Sequence, residues 1–379
     1  MMSQQSKREL VEAIRERYLK ASKPEKTKII DEFVATTGYH RKHAIRLLKR
    51  GPSNQQGKRR GRKATYQGEV VTVLEQIWEI CGRICSRRLH PHLPEMVKVL
   101  ERHGELLLSS EVKAQLLQMS RATIDRCLQP ARFEQPRGLS TTKPGGLLKQ
   151  SIPVRTFADW DDAQPGFIEA DLVAHCGDNI SGQFLNTLTC TDISTGWTEC
   201  LALLHRSQEQ VHQALQALQL RLPFRLLGMD SDNGTEFIND LIYRYCRQEQ
   251  ITFTRSRPYK KNDQAHVEQK NWSIVRRTVG YDRWETQAEQ LLLASVYDTL
   301  RLYTNFFQPV MKLIRKERVD GKTIKTYDTA QTPYQRVLAH DQISIEVKAK
   351  LIQQYVQLNP VQLRRELDRK VAQLWKISK

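Results

Sequence analysis

The period of the apolar pattern changes near residue 167, and this change limits the chain to folds that contain a mixed sheet. Three strand-like runs rich in β-branched and apolar residues follow one another at residues 167–175, 183–192 and 197–203. Turns rich in Gly, Ser and Thr separate them, which favours an antiparallel meander. Helical and strand patterns then alternate at residues 205–220, 224–229, 235–250 and 251–254. This order predicts an α/β domain whose mixed sheet is flanked by helices.

The first fifty residues carry a helical period instead. Two helical runs are followed by a turn at Gly38 and by a short basic helix over residues 39–50. This arrangement is typical of a helix-turn-helix domain, whose second helix enters the major groove of DNA. Arg41, Lys42 and Arg46 are therefore candidate DNA contacts. The alternative is a small helical bundle with a solvated basic face.

Residues 51–66 read as a basic linker. Five of the seven residues from 57 to 63 are basic, and they are Lys58, Arg59, Arg60, Arg62 and Lys63. Arginines next to Gly61 suit a narrow A·T-rich minor groove, although contacts with phosphates or with water alone explain the run equally well. We predict DNA contacts here.

Residues 67–130 form a second helical block, which ends in another helix-turn-helix pattern with Ser120 as the helix cap. A second DNA-binding domain is expected there, followed by a linker at 131–156. Zinc is disfavoured in this block, because the cysteines and histidines do not have the usual ligand spacing. They are Cys81, Cys85, His90 and His92.

The charge of the chain indicates a polyanionic partner. Its 379 residues contain 60 Lys and Arg against 42 Asp and Glu, a formal charge of +18. Nucleic acid is favoured over an anionic membrane, since no run of about 18 apolar residues and no secretory signal is found. Seven cysteines, an odd number, are expected to be reduced thiols in the cytoplasm.

Three acids stand where the predicted topology would bring them together. Asp171 lies inside an apolar strand, where an ionised carboxylate is costly to bury. Asp232 follows a strand and precedes a helix, the end of a sheet at which ligands bind. Glu268 is separated from Asp232 by 35 residues and lies where a polar loop enters a helix. Each acid alone could be a strand-edge, turn-capping or solvated residue, and Asp230 competes with Asp232.

The strand-borne Asp171, the motif from Asp232 to Phe237 (DNGTEF) and the interval to Glu268 resemble the DDE integrase and transposase superfamily. This superfamily includes retroviral integrases and the transposases of bacterial insertion sequences. The resemblance covers about residues 157–305 and continues more loosely to residue 336. It implies a ribonuclease H-like catalytic core at 157–305, preceded by all-α helix-turn-helix DNA-binding domains. A small basic β/α region at 306–379, containing a possible hairpin, would follow and serve DNA binding or assembly.

The resemblance also implies a chemistry. Three carboxylates without a cysteine or histidine cluster form an all-oxygen site that selects Mg²⁺ or Mn²⁺. Two Mg²⁺ ions, replaceable by Mn²⁺, would be bound by the catalytic residues Asp171, Asp232 and Glu268. They would support 3′-end cleavage at a mobile element and strand transfer into target DNA.

The implied partners are double-stranded DNA, as element ends and as target, and further copies of the chain on paired ends. Lys260, Lys261 and Lys270 are expected to contact the DNA backbone near the site. A bacterial host, with the protein on the nucleoid, is expected from the resemblance. Two alternatives remain open: a DNA-binding regulator that has lost catalysis, and a metal-dependent nuclease of the same fold.

Overall fold

The structure is a computed structural model that describes residues 2–51, 65–132, 164–256, 265–319 and 322–377. The chain divides into two compact units, residues 1–65 and residues 66–379. Among the described residues, no helix is both long and apolar enough to span a bilayer. All seven cysteines lie within the described part of the chain and are unpaired thiols, as expected from the sequence.

The first unit consists of three helices, α1 (Gln4–Lys20), α2 (Lys23–Thr37) and α3 (Arg41–Arg50). Buried residues from all three, including Val11, Phe33 and Leu48, form a small core. Gly38 ends α2 in the left-handed region at a φ of 71°, where most side chains would be strained. The predicted helix, turn and basic helix are therefore present.

The second unit contains the remaining elements. Among the described residues, four α-helices precede the sheet: α4 (Glu69–Ile80), α5 (Ser86–Arg102), α6 (Ser110–Gln118) and α7 (Arg121–Leu128). The predicted cap at Ser120 is confirmed, since its side chain accepts a hydrogen bond from the Thr123 amide at 3.2 Å. The sheet and its helices are β1 (Phe167–Ala174), β2 (Asn186–Asp192), β3 (Thr198–Leu203), α8 (Gln208–Arg221), β4 (Gly228–Ser231), α9 (Asp240–Gln248) and β5 (Thr252–Arg255).

Helices dominate the rest of the chain. α10 (Ala265–Lys270) continues through a π-helical turn (Asn271–Arg276) into α11 (Arg277–Val279). The elements after it are α12 (Gln287–Phe307), β6 (Leu313–Val319), β7 (Lys322–Tyr327), α13 (Pro333–Ala339), α14 (Ile345–Gln357) and α15 (Pro360–Ile377). The hairpin predicted near residue 320 is formed by the antiparallel strands β6 and β7.

The sheet has the strand order β3-β2-β1-β4-β5. β1, β2 and β3 pair antiparallel, whereas β4 and β5 run parallel to β1. The predicted mixed α/β sheet is confirmed. Several boundaries were misplaced: β4 begins at Gly228 rather than at residue 224, α9 at Asp240 rather than at residue 235, and β2 at Asn186 rather than at residue 183. Leu226, in the apolar run before β4, is buried in the core without belonging to this strand.

The two faces of the sheet contribute to two apolar clusters. One face packs against α8 and α9 through residues such as Ile168, Leu215 and Ile242. The other cluster contains buried residues of α4–α7, the sheet, α12 and the C-terminal helices, among them Trp78 and Leu374. The described parts of the predicted regions 67–130, 157–305 and 306–379 all contribute buried residues to this cluster. A single α12 helix can pack against all three, because it is 21 residues long.

The C-terminal helices pack on the core of their own chain. Leu351, Leu363, Leu367 and Leu374 are buried, whereas Val356 is 49% exposed. Lys370 on α15 donates to the Thr299 hydroxyl of α12 at 2.8 Å. The sequence left open whether this tail contacts its own core or another copy, and the fold shows the former.

A buried histidine in α5 makes stability depend on pH. Burial lowers the pKa of His92 from 6.5 to about 4, although a hydrogen bond with the backbone of Phe307 opposes the shift. The neutral ring therefore stabilises the fold above pH 6.5, and this contribution is lost as the pH falls towards 4. We expect about 2 kcal/mol less unfolding free energy at pH 5 than at pH 7.5 from this residue.

Urea unfolding of the wild type and of His92→Leu at both pH values measures this difference. The variant should lose about 2 kcal/mol less between pH 7.5 and pH 5 than the wild type does. Equal losses in the two proteins would show that His92 is protonated as readily in the folded state as in the unfolded state.

Candidate active site

Asp171 lies at the centre of the sheet. It is half-buried on β1, the strand between β2 and β4, where its neighbours fix the carboxylate. Asn271 donates from Nδ2 to Oδ2 of Asp171 at 2.6 Å, and the Leu172 amide donates to Oδ1 at 2.8 Å. Both oxygens are thus oriented by hydrogen bonds, which favours a defined position over a free rotamer.

Asp232 is placed beside Asp171 by the parallel pairing of β1 and β4. Ala170 is opposite Ser231 in this register, so the next residue of each strand is an aspartate. The Gly234 amide donates to Oδ1 of Asp232 at 2.9 Å and so holds the carboxylate at the strand end. The competing residue Asp230 is fully buried and accepts a hydrogen bond from Thr254 at 2.7 Å. Of the two acids, Asp232 is the accessible one.

Glu268 is exposed on α10. The start of this helix is held by Glu169, a buried residue of β1 whose Oε2 accepts from the amides of His266 and Val267 at 2.9 and 3.0 Å. A carboxylate is a strong cap for the unpaired amides at a helix start. The strand that carries Asp171 therefore also positions the helix that carries Glu268.

The three carboxylates act on one another electrostatically. Burial and the negative charge of Asp232 raise the pKa of Asp171 to about 7, and the charge of Glu268 adds to the shift. Burial, followed by the charge of Glu236, also raises the pKa of Asp232, against the effects of the Gly234 amide and Arg206. Asp171 is the acid on which both of the others act. A cation near Asp171 would relieve this repulsion.

The donor set fits a hard divalent cation. The side chains offer carboxylate oxygens, and Oδ1 of Asn271 is buried without a hydrogen-bond partner among the described residues. Magnesium and manganese prefer such oxygen ligands. Among the described residues, no three His, Cys, Asp or Glu side chains come together as ligands of a single ion. Pairs of carboxylates, with Asp171 common to both, remain the arrangement that the site offers.

The predicted cations are spread over the chain. Arg41, Lys42 and Arg46 are exposed on α3, where Arg41 forms an ion pair with Asp31. The predicted contacts Lys58, Arg59, Arg60, Arg62, Lys63, Lys260 and Lys261 lie outside the described residues.

Lys270 does not fit its predicted role in contacting the DNA backbone. Its side chain points inward, and the residue is only 8% exposed. Burial and the charges of Arg88 and Arg336 lower the pKa of Lys270 to about 8. α10 packs against β2, so this face of the helix is covered by the sheet.

Several residues around the site were not predicted from the sequence as site residues. They are Glu169, Asn271, Arg206 and Glu236. Two of them carried a signal: Glu169 precedes Asp171 by two residues on the same strand face, and Asn271 follows Glu268 by one helical turn. Asn233 links the turn after β4 to the end of β5, since its Nδ2 donates to the Ser256 carbonyl at 3.1 Å.

We expect the cap formed by Glu169 to be measurable by amide hydrogen exchange. Replacing Glu169 by Ala leaves the His266 and Val267 amides without this acceptor, which costs a helix about 1 kcal/mol. Exchange at these two amides should become roughly five to ten times faster. Glu249→Ala, at an exposed acid outside the site, is the control. Unchanged exchange at both amides would show that Glu169 does not hold α10.

The fold and the site together define a class: a mixed α/β protein with paired carboxylates where β4 ends beside the middle of β1. No family model matches the chain. It is 44% identical over 337 residues to the uncharacterized protein y4rM of Sinorhizobium fredii (strain NBRC 101917 / NGR234), covering 88% of this chain and 96% of that protein. The chain therefore belongs to the family of y4rM.

A solved structure gives a weaker similarity. The crystal structure of the catalytic core domain of BIV integrase is 18% identical and covers 45% of this chain and 91% of that chain, with a TM-score of 0.31.

Proposed function

We propose that the protein is a DNA transposase or integrase that cleaves and joins DNA ends with Asp171, Asp232 and Glu268. The observation that carries this proposal is the parallel pairing of β1 with β4, which brings Asp171 and Asp232 to neighbouring strands. Structural carboxylates are usually paired with cations or turned to water. Burial, the charge of Asp232 and, more weakly, the charge of Glu268 raise the pKa of Asp171 instead.

Two Mg²⁺ ions, replaceable by Mn²⁺, would be held by Asp171 together with Asp232 and Glu268, and they would stabilise the attacking and leaving oxygens of a phosphoryl transfer. The surrounding residues keep this site in place. Asn271 orients Asp171, and Glu169 fixes the start of the Glu268 helix. Asn233 ties the loop after β4 to Ser256, so the position of Asp232 is set by two strands.

DNA recognition would belong to the basic segments. We infer that α3 presents Lys42 and Arg46 to DNA as the second helix of a helix-turn-helix. The basic linker, Lys260, Lys261 and the β6–β7 hairpin would add contacts with the backbone. One site per DNA end requires several copies of the chain on paired ends, in a bacterial cytoplasm at the nucleoid.

The test uses DNA duplexes from both flanks of the coding sequence, labelled and incubated with wild type and Asp232→Asn in Mg²⁺, Mn²⁺ or EDTA. Metal-dependent cleaved and joined products from the wild type alone support the proposal. Cleavage without joining would favour a nuclease, and binding without cleavage would favour a regulator.

The helix α3 gives a separate prediction for DNA binding. Replacing Lys42 and Arg46 together by Ala should weaken binding about tenfold, because each phosphate contact releases counterions. The slope of log affinity against log salt should fall by roughly 1.8, about 0.9 for each contact. Lys20→Ala with Lys28→Ala, two exposed residues on α1 and α2, is the matched control. Equal slopes for both double variants would remove α3 from the DNA interface.

A further inference from the structure

One cation, Arg206, stands next to the carboxylates. It lies in the turn between β3 and α8, and its side chain is 44% exposed. Burial alone would lower the pKa of Arg206, but the hydrogen bond that it donates to Glu236 and the charges of Glu236, Asp232 and Asp171 raise it. The guanidinium is therefore within electrostatic reach of two of the three candidate metal ligands.

Arg206 forms an ion pair with a buried acid, Glu236. Its Nη2 is 2.5 Å from Oε1 of Glu236, and the side chain of Glu236 is only 3% exposed. The neighbouring residues Phe237 and Ile238 are buried in the core. Glu236 therefore has little freedom to move, and the half-exposed guanidinium is fixed at the mouth of the site.

Gly234 makes room for this arrangement. A Cβ atom at residue 234 would collide with the carboxylate of Glu236, which folds back over the turn after Asp232. A side chain there would displace Glu236 and, with it, the guanidinium. The motif DNGTEF therefore does more than supply Asp232. Its glycine leaves space for the carboxylate of Glu236, and this carboxylate binds Arg206.

The guanidinium has donors left for a ligand. Its ion pair uses Nη2, and among the described residues it forms no other hydrogen bond. A planar guanidinium with free N–H groups binds the two non-bridging oxygens of a phosphate well. Carboxylates repel phosphate because both are negatively charged. A phosphate beside them therefore needs a cation, and Arg206 lies at their edge.

We propose that Arg206 binds a backbone phosphate of the DNA strand next to the phosphodiester that reacts, and that Glu236 is its positioning residue. This inference rests on the proposed function for the identity of the ligand. It adds a phosphate subsite beside the carboxylates, on the side of the turn before α8.

The experiment tests each protein variant against DNA duplexes in which a single phosphate has been made neutral. Duplexes from the flanks of the coding sequence carry one methylphosphonate each, at successive positions near the cleavage point. Their binding is measured in Ca²⁺ with wild type, Arg206→Gln, Arg206→Lys and Glu236→Gln. Arg225→Gln, an exposed arginine that contacts Gln250 outside the site, removes the same charge and is the control.

Arg206→Gln should weaken binding of the unmodified duplex roughly tenfold. At one methylphosphonate position the affinity of the wild type should also fall roughly tenfold. The affinity of Arg206→Gln should not fall further at that position, because the variant no longer contacts this phosphate. Arg206→Lys keeps the charge and should restore part of the affinity, and Glu236→Gln should weaken the same coupling. A purely structural role would change affinity equally for every duplex.

Two outcomes separate the inference from the proposed function. Suppose that the wild type cleaves DNA in the presence of metal, and that the effects of Arg206→Gln and of the methylphosphonate on affinity are additive at every position. This result would overturn the phosphate subsite and leave the transposase proposal standing. Coupling at one position without cleavage in Mg²⁺ or Mn²⁺ would support the subsite and overturn the catalytic proposal.

Discussion

Replacing Asp171 by Asn is expected to lower the rate of DNA cleavage at least a thousandfold while DNA binding is retained. A loss of this size corresponds to about 4 kcal/mol in the barrier. The reason is that Asp171 is the acid on which both Asp232 and Glu268 act, so it would be shared between the two bound cations. The variant keeps the size of the side chain and one of its two acceptor oxygens, and it removes the charge.

The same substitution should not weaken the fold. Burial and the neighbouring charges disfavour the ionised form of Asp171 in the metal-free protein. A neutral side chain is free of this repulsion, so the unfolding free energy should stay equal or rise by about 1–3 kcal/mol. An activity loss combined with unchanged or higher stability is the signature of a catalytic residue rather than of a core residue.

Cleavage assays and urea unfolding on the same preparations measure both effects. Asp240→Asn, at an exposed acid in the first turn of α9, is the matched control and should keep full activity. Full activity of Asp171→Asn, or a large loss of its stability, would show that Asp171 has a structural role instead.

Trp284→Ala is expected to cause the largest loss of stability, about 3–5 kcal/mol. Trp284 is fully buried and packs 4.8 Å, centroid to centroid, from the ring of His175, which follows β1 directly. Its carbonyl also accepts a hydrogen bond from the Leu185 amide at 2.7 Å, ahead of β2. Removal of the indole would leave a cavity between the sheet and the segment before α12.

Trp272→Ala is the matched control, because this tryptophan is 62% exposed in the π-helical turn. It should change the unfolding free energy by less than about 1 kcal/mol. Circular dichroism during urea unfolding compares the two variants without relying on tryptophan fluorescence. Similar unfolding midpoints for both would mean that Trp284 contributes little to the core.

Local patterns were enough to predict most elements. The alternation of β1 to β3, the Gly38 turn, the cap at Ser120 and the β6–β7 hairpin depend on residues close together in the chain. The failures have a different cause. The start of β4 was misplaced because Leu226 is buried in the core although it lies before the strand. The inward direction of Lys270 depends on which face of α10 packs against β2.

The sequence by itself determined which acids stand inside a strand, at a strand end and at a helix start, since Asp171, Asp232 and Glu268 are marked by their own neighbours in the chain. It also determined the mixed sheet, through the change from helical to strand period. Only the tertiary structure decided how these acids are supported. Glu169 caps a helix 97 residues away, Asn271 orients a carboxylate 100 residues away, and Glu236 holds Arg206 from another loop. Such contacts join segments distant in sequence, and no local pattern records which of them meet when the sheet and its helices pack.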